Sequence, residues 1–334
     1  MANIKVLWID DEVDKNFIYI GSRHDLDITQ ALSVNEGKEL LSKNKWDAII
    51  LDVNCKIESS GAEIPSVQAF FKALKSMRED IPYFVFTGGN YKGVETLEYI
   101  PKETYQDKKF FNKSTDRDLL FENIKGAVKH SPRYVARSKH SNVCNFYTGD
   151  DLIDLLVLLD TEQIKTDIMV PTQVRLILSW IMKKLNSLCV LPIKTNENVT
   201  NLAECSRFLG FDKMKDIILL HIQRNFFSCV SVANDGAHRN DKEPNMVQTL
   251  LRNGEAPYLN SVLVYELLSI LKWCSSLDSK ESAVRRKSTI SILKSYKDKD
   301  GFSCSRIEGA FAIFIKEDKQ KNRIEQKRIE LAYI

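Results

Sequence analysis

Two apolar runs near the start of the chain stop abruptly on carboxylates. IKVLWI is followed by Asp10, Asp11 and Glu12, and DAIIL is followed by Asp52. A bare acid after a buried strand has few structural jobs, because unpaired charge is costly to bury. Carboxylates gathered with a main-chain carbonyl and waters, by contrast, make the hard, oxygen-rich site that Mg²⁺ prefers. A carboxylate held beside such an ion can act as a nucleophile, with the ion offsetting charge on the group under attack. Two further runs also end on polar groups: YFVFT closes on Thr87, and KFFN is followed by Lys113. Taken singly, Asp10 or Asp11 reads as a helix cap or turn, Thr87 as a turn and Lys113 as a surface residue. Their shared position at run ends is what points to chemistry.

Such groups must be carried on a common scaffold. Residues 1 to about 128 alternate five strand-like runs (KVLWI, DITQALS, DAIIL, YFVFT, KFFN) with helical patterns in VNEGKELLSK, PSVQAFFKALKSMRED and TDRDLLFENIKGAV. In the second of these, Val67, Phe70, Phe71, Leu74 and Met77 share one stripe. Alternation of this kind predicts a five-stranded, doubly wound parallel sheet covered on both faces. The ligand crevice of such a sheet lies at the carboxyl ends of its strands, where the four polar endings fall.

This segment resembles the receiver domain of two-component response regulators. The matching features, in order, are the acidic pair Asp10–Asp11, the lone Asp52, Thr87 followed by a small residue, and Lys113. The resemblance implies a flavodoxin-like receiver fold. It also implies that Asp10, Asp11, Asp52 and the main-chain carbonyl of Asn54 hold Mg²⁺. Asp52 would then accept a phosphoryl group from a histidine kinase, assisted by Thr87 and Lys113. Phe110, three residues before Lys113, matches the aromatic switch position, and Glu12 is expected only to start the first helix. Self-association through the receiver is a further expectation. The sequence departs from the family after Lys113, where Ser114 replaces the usual proline, after Asp52, where NCKIESSGAEIPS is longer and more polar, and between Thr87 and Lys113, where Pro101 interrupts any simple fourth helix.

Residues 129–148 are polar and basic without clear periodicity and read as a linker. From 149 to 278 the pattern is helical, with Val174, Ile177, Leu178, Ile181, Met182 and Leu185 on one face, predicting an all-α bundle as output domain. Within it SVANDGAHRN loosely resembles helical bundles of the HEPN type and offers His238 and Arg239 as an output site. Ser231, Val232 and Ala233 stand where nuclease members carry an arginine; Arg224 and Arg239 are the candidate substitutes. The plain alternative is that Gly236 ends a helix and His238 packs against the next. Residues 279–334 read as a small β-rich element of four short strands (TISILKSY, GFSCSRI, AFAIFIK, RIELAYI). Basic residues beside Phe302, Phe311 and Phe314 leave an oligonucleotide-binding reading open next to that of a solvated sheet face.

Composition sets the context. A net charge of +3 on 334 residues is too small to argue by itself for nucleic acid or anionic membrane. No apolar run approaches the roughly 18 residues of a membrane span, and MANIKVLW lacks a signal-peptide pattern, so a cytoplasmic location is expected. Seven scattered cysteines without a CxxC suggest buried thiols rather than disulfides or zinc. Three functions compete: a phosphorylation-dependent regulator switching an atypical helical output that binds itself or another protein, a receiver-controlled RNA-binding or RNase effector in stress or phage defence, and an unphosphorylated interaction module. The intact set Asp10, Asp11, Asp52, Thr87 and Lys113 argues against the third, and the missing arginine before His238 argues against a nuclease of the second class, which leaves the first as the expected function.

Overall fold

The runs rich in Val, Ile and Leu form the strands expected of them. β1 (Ile4–Ile9), β2 (Leu26–Ala31), β3 (Ala48–Leu51), β6 (Tyr83–Thr87) and β7 (Phe110–Asn112) make one parallel sheet in the order β2-β1-β3-β6-β7. The short β4 (Asn54–Lys56) and β5 (Glu63–Pro65) form a separate antiparallel pair. This is the doubly wound, flavodoxin-like strand order, in which parallel neighbours require crossovers. The computed structural model describes residues 4–58, 63–65, 81–88, 110–194, 202–237, 246–318 and 323–332. The expected helix with Val67, Phe70, Phe71, Leu74 and Met77, and the region around Pro101, lie outside the described residues.

Both faces of the sheet are covered. Val6, Trp8, Ile50, Phe84, Phe86 and Phe111 pack with Phe17 of α1 (Lys15–Arg23) and with Leu120, Phe121 and Ile124 of α3 (Arg117–Val128). Leu7, Ile9, Ile49 and Leu51 pack on the other side with Val34 and Leu41 of α2 (Val34–Lys43). Strand alternation sends successive residues to opposite faces, which is why these two sets interleave along each strand.

The chain divides into two compact units, Met1–Ser141 and Asn142–Ile334. The stretch 129–148, read as a linker, holds the boundary between the two units and contains two short helices, α4 (Pro132–Lys139) and α5 (Ser141–Phe146). Ser131 caps α4 by accepting the Tyr134 N–H, and Pro132 occupies its first turn. Arg137 of α4 forms a buried ion pair with Asp47, which also accepts the Lys5 amide at 2.7 Å, so α4 belongs to the N-terminal unit.

The second unit is helical: α6 (Asp150–Leu159), α7 (Val170–Ser187), α8 (Leu202–Leu209), α9 (Leu220–Ala237), α10 (Met246–Arg252), α11 (Leu259–Ser275) and α12 (Ser282–Lys294). All six apolar residues predicted on one face of α7 are buried. The unit closes with an antiparallel sheet in the order β10-β9-β8, from β8 (Ser303–Glu308), β9 (Phe311–Asp318) and β10 (Arg323–Glu330). TISILKSY, expected as a fourth strand, is the end of α12. Arg285, Thr289 and Leu293 are buried along that helix at i, i+4 and i+8, a helical rather than a strand spacing. Phe314 is fully buried, so it is core and offers no exposed ring for stacking. Among the described residues no helix is long and apolar enough to cross a membrane.

Candidate functional site

The carboxyl ends of the strands bring the predicted groups together through backbone register. Ile9 pairs with Leu51, and the ladder continues one residue further, with the Asp10 N–H donating to Ala31 O (3.0 Å) and the Asp52 N–H to Ile9 O (2.9 Å). At the far side Thr87 pairs with Asn112, and the Lys113 N–H donates to Thr87 O at 3.0 Å. By alternation Asp10, Asp52 and Lys113 prolong the face that carries Trp8, Ile50 and Phe111. Three strands of one sheet, β1, β3 and β7, thus deliver two acids and a base to one point, with β6 lying between β3 and β7.

There Lys113 Nζ lies 2.6 Å from Asp10 Oδ2 and 3.1 Å from Asp52 Oδ2. The exposed Glu12 is 3.6 Å away. Asp52 Oδ1 accepts the Val53 N–H at 2.7 Å, and Asp10 Oδ1 accepts the Glu12 N–H at 3.0 Å. Gln30 braces the turn after β1, its side-chain amide donating to Asp10 O (2.9 Å) and Glu12 O (2.8 Å). Glu12 does not start the helix: Asp14 is the cap of α1 and accepts the Phe17 N–H at 2.9 Å.

Electrostatics show what is unsettled at this point. Burial pushes the Asp10 carboxyl up to about 6, against the pull of Lys113, and the charge of Asp52 adds to the rise. Burial by itself would lower the Lys113 ammonium, but its bonds to Asp10 and the charges of Asp10 and Asp52 raise it above the usual range. Burial, with Asp11, Asp10 and Asp52 nearby, pushes the Cys55 thiol up to about 12, so it remains protonated. Asp10, Asp11 and Asp52 each present a carboxylate oxygen within 4.8 Å of the others. Three hard oxygen donors, one of them held uncomfortably in a dry site, fit a divalent cation of the Mg²⁺ type.

The remaining predicted residues are placed less directly. Thr87 is buried at the end of β6, and Phe110 is half-buried at the start of β7 opposite Val85. Asn54 is exposed at the start of β4, opposite Pro65. Ser114 donates through both its amide and hydroxyl to Asn112 Oδ1 (2.8 Å each), and Asn112 N–H donates to Asp116, closing the loop where receivers usually have proline.

One residue escaped the sequence reading. Lys56 Nζ lies 3.0 Å from Asp11 Oδ2. The signal was available, since residues 54 and 56 of a strand share a face while Cys55, fully buried, takes the other.

In the second unit, α9 runs on through Asn234, Asp235 and Gly236 to Ala237, so Gly236 does not end the helix. A Cβ there would fall 2.5 Å from Pro171 Cβ, so this residue lets α9 approach α7 closely. Asp235 Oδ2 accepts the Val247 N–H at 3.1 Å, and the Gln248 side chain donates to Gly236 O at 2.8 Å. His238 and Arg239 lie outside the described residues, and Arg224 is exposed on α9. No protein-family model matches the sequence, and no curated protein does either.

Proposed function

We propose that the N-terminal unit is a phosphoryl-accepting switch of the response-regulator type, with Asp52 as acceptor and the helical unit as its output. The observation that carries this reading is the meeting of Asp10, Asp52 and Lys113 at the carboxyl ends of three strands of one sheet, with Asp11 completing a set of oxygen donors. In this reading Asp10, Asp11, Asp52 and the Asn54 carbonyl hold Mg²⁺, which neutralises charge on the transferred group. Asp52 is pre-aimed by the Val53 amide and Lys113. One of its oxygens forms the new O–P bond while the bond to the histidine nitrogen of the donor kinase breaks, and the leaving imidazole keeps that electron pair. Lys113 steadies the phosphoryl oxygens as a point charge, and the Thr87 hydroxyl hydrogen-bonds to them. Phe110 then relays the change toward the surface, altering contacts of the receiver with itself or of the helical unit with a protein or RNA target.

The test is phosphoryl or beryllofluoride uptake by purified protein, followed by intact mass or ¹⁹F signal. Uptake should require Mg²⁺ and vanish in Asp52→Asn. Persistent labelling of that variant would remove Asp52 as the acceptor.

A further inference from the structure

The β4–β5 pair follows Asp52 directly and returns a second ammonium to the acidic cluster. Lys56 Nζ is 3.0 Å from Asp11 Oδ2, while Lys113 serves Asp10 and Asp52. Resting on the reading of Asp10, Asp11 and Asp52 as a divalent-cation site, we propose that Lys56 is an exchangeable stand-in for that cation. It holds Asp11 until the ion arrives and so sets the ion concentration at which the site loads.

Charge bookkeeping favours exchange over simple addition. Among the described side chains, three carboxylates against two ammoniums leave one negative charge in a largely dehydrated cluster. A divalent ion added to both lysines would overshoot to one positive charge, whereas an ion that replaces Lys56 brings the cluster to neutrality. Glu12, 81% exposed, is too well solvated to change this balance.

Geometry selects Lys56 as the group that leaves. The Lys113 side chain is 20% exposed and bridges two carboxylates, but that of Lys56 is 37% exposed and can turn to water. Its backbone need not move. Cys55 is buried on one side of it, and Ile57 O on the other accepts the Asn35 N–H at 3.0 Å, fastening the strand to the first turn of α2. A half-exposed ion pair is weak, which suits a competitor that must yield.

The experiment titrates the full-length, metal-free protein with Mg²⁺ by calorimetry, alongside Lys56→Met, Lys56→Arg and Lys43→Met. Lys43 pairs with Glu39 on α2 and serves as the charge control. Lys56→Met should bind Mg²⁺ about threefold to fivefold more tightly, the size of one such pair, and the gain should shrink in high salt. Lys56→Arg and Lys43→Met should match the wild type. In an Asp11→Asn background the advantage of Lys56→Met should disappear, since the exchange has lost its acceptor. Equal or weaker Mg²⁺ binding by Lys56→Met overturns this inference and leaves the phosphoryl switch standing. Failure of both wild type and Lys56→Met to bind Mg²⁺ overturns the switch reading as well.

Discussion

Both units bury polar side chains, but they use them differently. In the helical unit the buried groups close backbone valences. The Asn260 amide donates to Ile164 O and Asp167 O (2.8 Å each), Gln223 to Leu209 O at 2.9 Å, and Arg285 Nε to Leu188 O at 3.0 Å. Asp47 does the same work in the N-terminal unit, joining Lys5 and Arg137. At the strand ends, however, Asp10 and Asp52 are buried beside each other, and burial holds Asp10 partly against ionisation. Burial alone therefore does not mark function. A buried polar group that completes the main chain stabilises the fold, whereas like charges gathered in a dry crevice oppose it and persist only where they serve something else.

This contrast can be broken by neutralising one buried charge in each unit. Arg285→Met should cost the most, about 3–4 kcal/mol in chemical denaturation, because the Leu188 carbonyl loses its guanidinium donor and the Asp278 carbonyl and Glu281 carboxylate lose a charged one. Asp10→Asn should act in the opposite direction, raising the stability of metal-free protein by roughly 1–3 kcal/mol. Mg²⁺ should cancel that gain by stabilising only the wild type. If Asp10→Asn destabilises the metal-free protein, the distinction between the two kinds of burial fails.

A pH series sharpens the same point. Because Asp10 is raised from 3.8 to about 6, the folded protein holds a proton there that the unfolded chain releases. Its contribution to stability is therefore present at low pH, falls as pH rises from about 4 to 6, and is flat above. Subtracting the profile of Asp10→Asn from that of the wild type should isolate a fall of roughly 2–3 kcal/mol across this window. Asn260→Ala should cost about 1–2 kcal/mol by leaving two carbonyls without their donor. Lys194→Met, at the half-exposed pair with Glu330, should change stability by less than about 0.5 kcal/mol.

The five parallel strands and the meeting of Asp10, Asp52 and Lys113 at their ends were legible because both are written locally. DAIIL and YFVFT state their own burial, and a parallel sheet sends the residue after each run to the same edge. What was not legible depends on distant partners or on misleading local chemistry. The helix Pro132–Lys139 has few apolar residues and buries only Ala136 and Arg137, its anchor being the Arg137 pair with Asp47, 90 residues away. TISILKSY looks like a strand because of its β-branched residues, but Thr289 turns its hydroxyl onto Arg285 O at 2.9 Å and to Cys189 O at 3.2 Å. The Ser131–Pro132 pair was the readable sign of the missed helix start.

Gln30 carries a kinetic consequence. By gripping the carbonyls of Asp10 and Glu12 from the neighbouring strand, it settles the turn that bears Asp10 and Asp11 as soon as β2 docks on β1. The conformational entropy of that turn is lost during folding rather than at ion capture. On the proposed reading, an arriving ion meets a turn whose two carbonyls are already held.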